Sequence, residues 1–149
     1  MSAYIKEYLP FYVEKQIEKD QDFKNPDKME EMYSKVPTYM NTAFLKVHED
    51  LLKQKYDVQL SGSTCVAVLF DRNTIFCANA GDSRAVLYSV NRNQGSQGKS
   101  TCGITPLSED HKPCLPVERK RVISVGGRVD TIKGNMGQSL GPMRVWLMD

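Results

Sequence analysis

The chain reads as an α+β domain, with two amphipathic helices followed by short antiparallel strands. Three observations predict it. Apolar residues recur at intervals of three and four as far as Leu51, then give way to short β-branched and aromatic runs from Thr64 onward. The links between the first runs, Asp71-Arg72-Asn73 and Gly81-Asp82-Ser83, are turn compositions too short for a parallel crossover, so neighbouring strands are expected to be antiparallel. The 149 residues, 40% hydrophobic and 26% charged, suit one domain with a real core.

Three regions follow in order: 1–57 helical, 58–90 strands, and 91–149 mixed with more loop. Ile5, Leu9, Tyr12, Val13 and Ile17 share one helical face, with a kink or restart expected at Pro10. Asn25-Pro26-Asp27 has the composition of a helix start: a capping Asn, Pro in the first position, and a carboxylate in the first turn. Met29, Tyr33, Val36, Met40, Phe44, Val47 and Leu51 then form a stripe of about six turns, with a bend expected near Pro37. The spacing of this Met and aromatic stripe is that of a core face. Thr64–Phe70, Thr74–Ala80 and Arg84–Val90 are expected to form a three-stranded meander, the first two strands covered on both faces. Asn91–Thr101 reads as a surface loop and a candidate for disorder. Leu115–Val125 fits a short helix ended by Gly126-Gly127, and Arg128–Ile132 a further strand.

Composition narrows the function. Twenty basic residues against 18 acidic ones, a net +2, give no nucleic-acid footprint. No apolar run reaches the roughly 18 residues of a membrane helix, and Met1–Lys15 mixes Lys and Glu, unlike a signal peptide. Cys65, Cys77, Cys102 and Cys114 form no C-x-x-C pair and lie apart from His48 and His111, which argues against a zinc site of the usual spacing. Reduced thiols are expected, Cys65 and Cys77 in strands and Cys102 and Cys114 in loops, in an intracellular protein of the cytoplasm or nucleus.

Several segments bring chemical groups together. Gly81-Asp82-Ser83-Arg84 sets a carboxylate, a hydroxyl and a guanidinium at a strand end, and by itself reads first as a plain turn. Ser61-Gly62-Ser63-Thr64 combines a close-approach glycine with hydroxyls, and otherwise is a strand start. It is neither a P-loop nor a nucleophile elbow. Asp110-His111-Lys112-Pro113 carries the one histidine outside the helices, and otherwise is a surface turn. Arg119-Lys120-Arg121 is a solvated helix face or a means of steering an anionic substrate.

The ordered series Ser61–Thr64, Ala78–Leu87 (Ala-Asn-Ala-Gly-Asp-Ser-Arg-Ala-Val-Leu), Leu107–Pro113, then Glu118, Arg121 and Gly126-Gly127-Arg128-Val129 resembles the metal-dependent protein phosphatase 2C family. The resemblance covers residues 58–132. Gly141–Trp146 looks like the approach to a later family motif. The implied fold is a partial phosphatase 2C-like β-sandwich of antiparallel strands with flanking helices. The implied activity is hydrolysis of phosphoserine and phosphothreonine in proteins by water activated at two or more Mg²⁺ or Mn²⁺ ions. Asp82 then matches a metal-site carboxylate, Thr64 a residue orienting water, and Asp110–Val129 a flap beside the substrate groove. The family's Asp-Gly-His-Gly, Ser-Asp-Gly and terminal Asp-Asn motifs do not occur. The chain is therefore expected to be the middle of such a domain, inactive alone and holding no metal tightly. Phosphoprotein substrates are the expected partners, with self-association through open strand edges. Two other readings stand beside it: a non-catalytic pseudophosphatase interaction module, and a serine hydrolase using Ser83 with His111.

Overall fold

The computed structural model describes residues 1–55, 61–92 and 100–147. Residues 1–109 and 110–149 form two compact units.

In the first unit, α1 (Ser2–Lys19) and α2 (Met29–Leu52) pack together. Both run unbroken through a proline, Pro10 in α1 and Pro37 in α2. Each proline is exposed, so the carbonyl freed by its missing N–H lies toward water. Between the helices are two 3₁₀ turns, Gln21–Lys24 and Pro26–Lys28. Asn25 caps the second as its sequence predicts, its side-chain oxygen accepting from Asp27 N at 3.0 Å, with Pro26 in the first position.

The helix contact centres on Ala43, which is fully buried, with Leu9, Val47 and Leu51 around it. Met32, Val36 and Met40 continue the buried stripe. Met32, rather than Met29, is its first buried member: Met29 opens the helix and is half-buried. Tyrosine hydroxyls tie the elements at their margins. Tyr12 on α1 donates to Asp50 on α2, Tyr39 on α2 to Asp20 at the end of α1, and Tyr33 on α2 to Asp71 at 2.5 Å.

Strands β1 (Cys65–Asp71) and β2 (Thr74–Ala80) form an antiparallel hairpin, as do β3 (Val86–Arg92) and β4 (Ser100–Pro106). This departs from the expected meander, because β3 pairs with β4 and among the described residues no ladder joins β2 to β3. Gly81, at φ +104°, turns the chain away after β2, and β3 finds its partner on its C-terminal side. Strand β4 lies partly in the stretch expected to be loop, and Cys102, expected in a loop, is a strand residue paired with Val90. The β4 sequence, Ser-Thr-Cys-Gly-Ile-Thr-Pro, carries too little apolar signal to announce a strand. Residues 93–99 of that stretch lie outside the described residues.

The expected two-sided cover of the first hairpin also needs correction. Cys65 and Ala67 face the helix core and Phe76 meets the Tyr33 ring at 5.6 Å. The alternate residues Val68 and Phe70 are exposed, Phe70 by 69%. The hairpin therefore has one covered face and one open apolar face.

In the second unit, α3 (Pro116–Ser124) packs on a hairpin of β5 (Gly127–Lys133) and β6 (Ser139–Leu147). The helix and β5 follow the sequence expectation, with Pro116 in the first helical turn. Gly126 takes φ +83° after the helix, and a Cβ on Gly127 would stand 2.7 Å from Val122 Cγ1, so the close approach of β5 to α3 requires a glycine there. A bulge interrupts the β5–β6 register between Asp130 and Ile132. Among the described residues no helix is long and apolar enough to cross a membrane.

Candidate functional site

Cys65 pairs with Ala80 at one end of the first hairpin, so the segment entering β1 and the turn leaving β2 emerge side by side. That register brings Ser61–Thr64 against Gly81–Arg84. The Thr64 and Ser83 hydroxyls hydrogen-bond to each other at 2.8 Å across the two segments. Gly81 lies hard against Thr64 in a left-handed conformation that glycine alone adopts without strain. Asp82 projects from this turn as an exposed side chain.

Asn79 draws in a third segment. Its Nδ2 donates to Gly81 O at 3.0 Å and to Glu109 O at 2.7 Å. Ser108 Oγ accepts from Ala85 N at 2.9 Å, and Leu107 N donates to Ala85 O at the same distance. Three of the four sequence blocks, spread over residues 61–109, thus converge on the Gly81–Ala85 turn. The sequence reading gave Asn79 and Ser108 no role. The available signal was an amide side chain two residues before a turn glycine, a position suited to bonding the turn's backbone.

A cleft of about 340 Å³ opens beside this turn, between α1 and the start of β1. Ile5, Leu9 and Ala67 supply its apolar part, and Lys6, Thr64 and Ser83 its polar part. Among the described residues the partner found for Ser83 Oγ is the Thr64 hydroxyl, which is not a base that would activate a serine nucleophile.

The fourth block lies in the second unit. Glu118 accepts from Arg121 Nε at 3.1 Å and Nη2 at 2.5 Å. The guanidinium holds the Glu118 carboxyl below its ordinary range, with a smaller contribution from the nearby His111. Asp110 pairs with Lys112 at 3.0 Å. The expected flap, Asp110–Val129, is thus a helix braced by its own ion pair and seated on β5.

Among the described residues no three His, Cys, Asp or Glu side chains converge as a metal-binding group. One exposed carboxylate beside two hydroxyls falls short of the oxygen set that holds Mg²⁺ or Mn²⁺. The described residues therefore do not by themselves fit such an ion.

Comparison with known proteins gives the following. The family model for Protein phosphatase 2C matches residues 3–144. Protein phosphatase 1B of Rattus norvegicus is 32% identical over 132 residues, 84% of this chain and 31% of its own length. Protein phosphatase 2C homolog 3 of Schizosaccharomyces pombe is 35% identical over 126 residues, 83% of this chain and 26% of its own. Probable protein phosphatase 2C 65 of Arabidopsis thaliana is 30% identical over 157 aligned positions, all of this chain and 38% of its own length. The chain spans well under half the length of each of these relatives. No solved structure matches it.

Proposed function

Since the chain belongs to the protein phosphatase 2C family, we propose that it serves in the hydrolysis of phosphoserine and phosphothreonine in proteins, as part of a metal-dependent phosphatase domain. The observation that carries this reading is the convergence of residues 61–64, 78–87 and 107–109 on one turn within a chain that the family model matches from residue 3 to 144. The family works with Mg²⁺ or Mn²⁺. Such ions activate water and neutralise charge on a transferring phosphoryl group.

Asp82 contributes one carboxylate toward the metal site of the complete domain, and Thr64 offers a hydroxyl for orienting water. Gly81, Asn79 and the Thr64–Ser83 bond hold both in place. Residues 1–149 alone bind no metal tightly and show no measurable turnover, since one solvated carboxylate supplies little binding energy. Phosphoproteins are the substrates. Self-association through the open strand edges, with the uncovered Val68 and Phe70 beside them, belongs to the same reading, and light scattering across a concentration series checks it.

The test is phosphopeptide hydrolysis with Mn²⁺ by residues 1–149 and by a chimera in which they replace the matched segment of the Rattus norvegicus relative. The chimera is expected to turn over, with Asp82→Ala lowering its rate, and the chain alone to be silent. A folded chimera that binds phosphopeptide without hydrolysing it would overturn the reading in favour of a non-catalytic interaction module.

A further inference from the structure

The chain's basic excess is concentrated in residues 110–149. They carry seven Lys and Arg against four Asp and Glu, whereas residues 1–109 carry 13 against 14. The three described carboxylates of this unit each have a cationic partner: Asp110 with Lys112, Glu118 with Arg121, and Asp130 with Lys133 at 3.6 Å. Asp130 Oδ1 also accepts from Thr131 N at 2.8 Å, within the β-bulge. Arg128 and Arg144 form no ion pair among the described residues.

The register places these two arginines together. Arg128 pairs with Trp146 and Asp130 with Arg144, so all four lie on one face of the β5–β6 hairpin. Val129, one residue on from Arg128, is buried and points to the opposite face, where α3 packs. The two arginines are diagonal neighbours, within reach of one extended ligand. Both are exposed, and the half-buried Trp146 lies beside them. Its indole N–H donates to Asp130 O at 3.3 Å, which fixes the ring. A guanidinium pair with a fixed aromatic ring between strands matches an extended chain bearing carboxylates, because guanidinium binds carboxylate bidentately and stacks on aromatic faces.

We propose that the Arg128–Trp146–Arg144 face docks an acidic stretch of a phosphoprotein substrate. The proposal rests on the phosphatase reading for the word substrate, and on charge and register for the acidic partner.

The experiment is fluorescence anisotropy of the 149-residue chain with labelled ligands of equal length. These are a phosphoserine peptide rich in Asp and Glu, the same peptide with Asn and Gln in their place, and an oligouridylate. The acidic peptide is expected to bind about tenfold more tightly than its amide counterpart at low salt, with the advantage shrinking as salt rises. Arg128→Glu with Arg144→Glu removes the preference, and Arg128→Gln with Arg144→Gln reduces it. Lys15→Glu with Lys19→Glu, on α1, changes the net charge by the same amount and preserves it. Circular dichroism establishes that each variant is folded.

Equal binding of acidic and amide peptides, or a preference that survives Arg128→Glu with Arg144→Glu, overturns the proposal. Tighter binding of the oligouridylate overturns it in favour of nucleic acid. The readout is binding, so a negative result leaves the phosphatase reading standing, and failure of the turnover assay leaves this result standing.

Discussion

A Cβ built on Gly81 would stand 2.4 Å from Cγ2 of Thr64 and 2.8 Å from its Cβ. The two residues are 17 apart in sequence and belong to different motifs. Their contact sets how closely the segment entering β1 approaches the turn that carries Asp82. Gly81→Ala must both adopt φ +104° and push Thr64 aside. The expected loss is about 2–4 kcal/mol, from backbone strain and overpacking together. Thr64→Ser in the same chain removes Cγ2 but not Cβ and leaves the strained φ, so it recovers only part. Urea unfolding of the single and double variants checks this, and a fully additive result would show that the contact does not couple the two residues.

The tyrosine–aspartate pairs predict a pH profile with two limbs. The Tyr39 hydroxyl, followed by the Asp22 N–H and Lys35, holds Asp20 at about 2. The Tyr12 hydroxyl, followed by Lys53, holds Asp50 at about 2. A depressed carboxylate stabilises the fold above its unfolded pKa of about 3.9, and that contribution is lost as pH falls from there toward 2. Tyr12 and Tyr39 are shifted the other way, raised chiefly by donating to Asp50 and Asp20. Their contribution is complete below the unfolded tyrosine pKa of about 10 and is lost as pH rises through the raised folded values. Thermal melts against pH should show both limbs. Tyr12→Phe with Tyr39→Phe should shrink both limbs, with Tyr33, raised by donating to Asp71, keeping part of the alkaline one, and an unaltered acid limb would assign it to other groups.

Ala43 has no exposed surface at the centre of the α1–α2 contact. Ala43→Leu inserts three carbons where Leu9 and Val47 already meet, and should cost about 1–3 kcal/mol. Leu45→Ala, at a position 56% exposed two residues along, should change stability by about 0.5 kcal/mol or less. Comparable losses in the two variants by chemical denaturation would mean that the helices meet along another face.

The cysteines should divide by exposure. Burial raises the Cys65 and Cys77 thiols above their ordinary value. Cys102 and Cys114 are exposed, with Cys102 Sγ accepting from the Tyr88 hydroxyl at 2.9 Å. Native alkylation followed by mass spectrometry should modify Cys114 and Cys102 first, since both are exposed while burial holds back the Cys65 and Cys77 thiols. Cys65 labelling as fast as Cys114 would show that the β1 contact with the helix core opens readily.

The sequence by itself determined what depends on near neighbours along the chain. The period of three and four up to Leu51 marked α2, because a helix repeats every 3.6 residues whatever it packs against. Asn25-Pro26 started its 3₁₀ turn and Gly126-Gly127 followed α3, because capping and turn conformations are local. The motif order of residues 58–132 was enough to indicate the family. Tertiary structure alone decided which strand pairs with which, since ladder partners are chosen by long-range register. For that reason the expected meander became two hairpins, and the weakly apolar β4 became a strand by pairing with β3, its one ladder partner among the described residues. The same holds for the site. Asp82 and Thr64 were legible as motif residues, but Asn79 and Ser108 acquire their roles only when folding brings residues 107–109 against the Gly81–Ala85 turn. The alternation of β5 and β6 put Arg128, Arg144 and Trp146 on one face, although in the chain they are separated by up to 18 residues. Hydrogen-bonded register is a property of two strands together, and neither strand's sequence contains it alone.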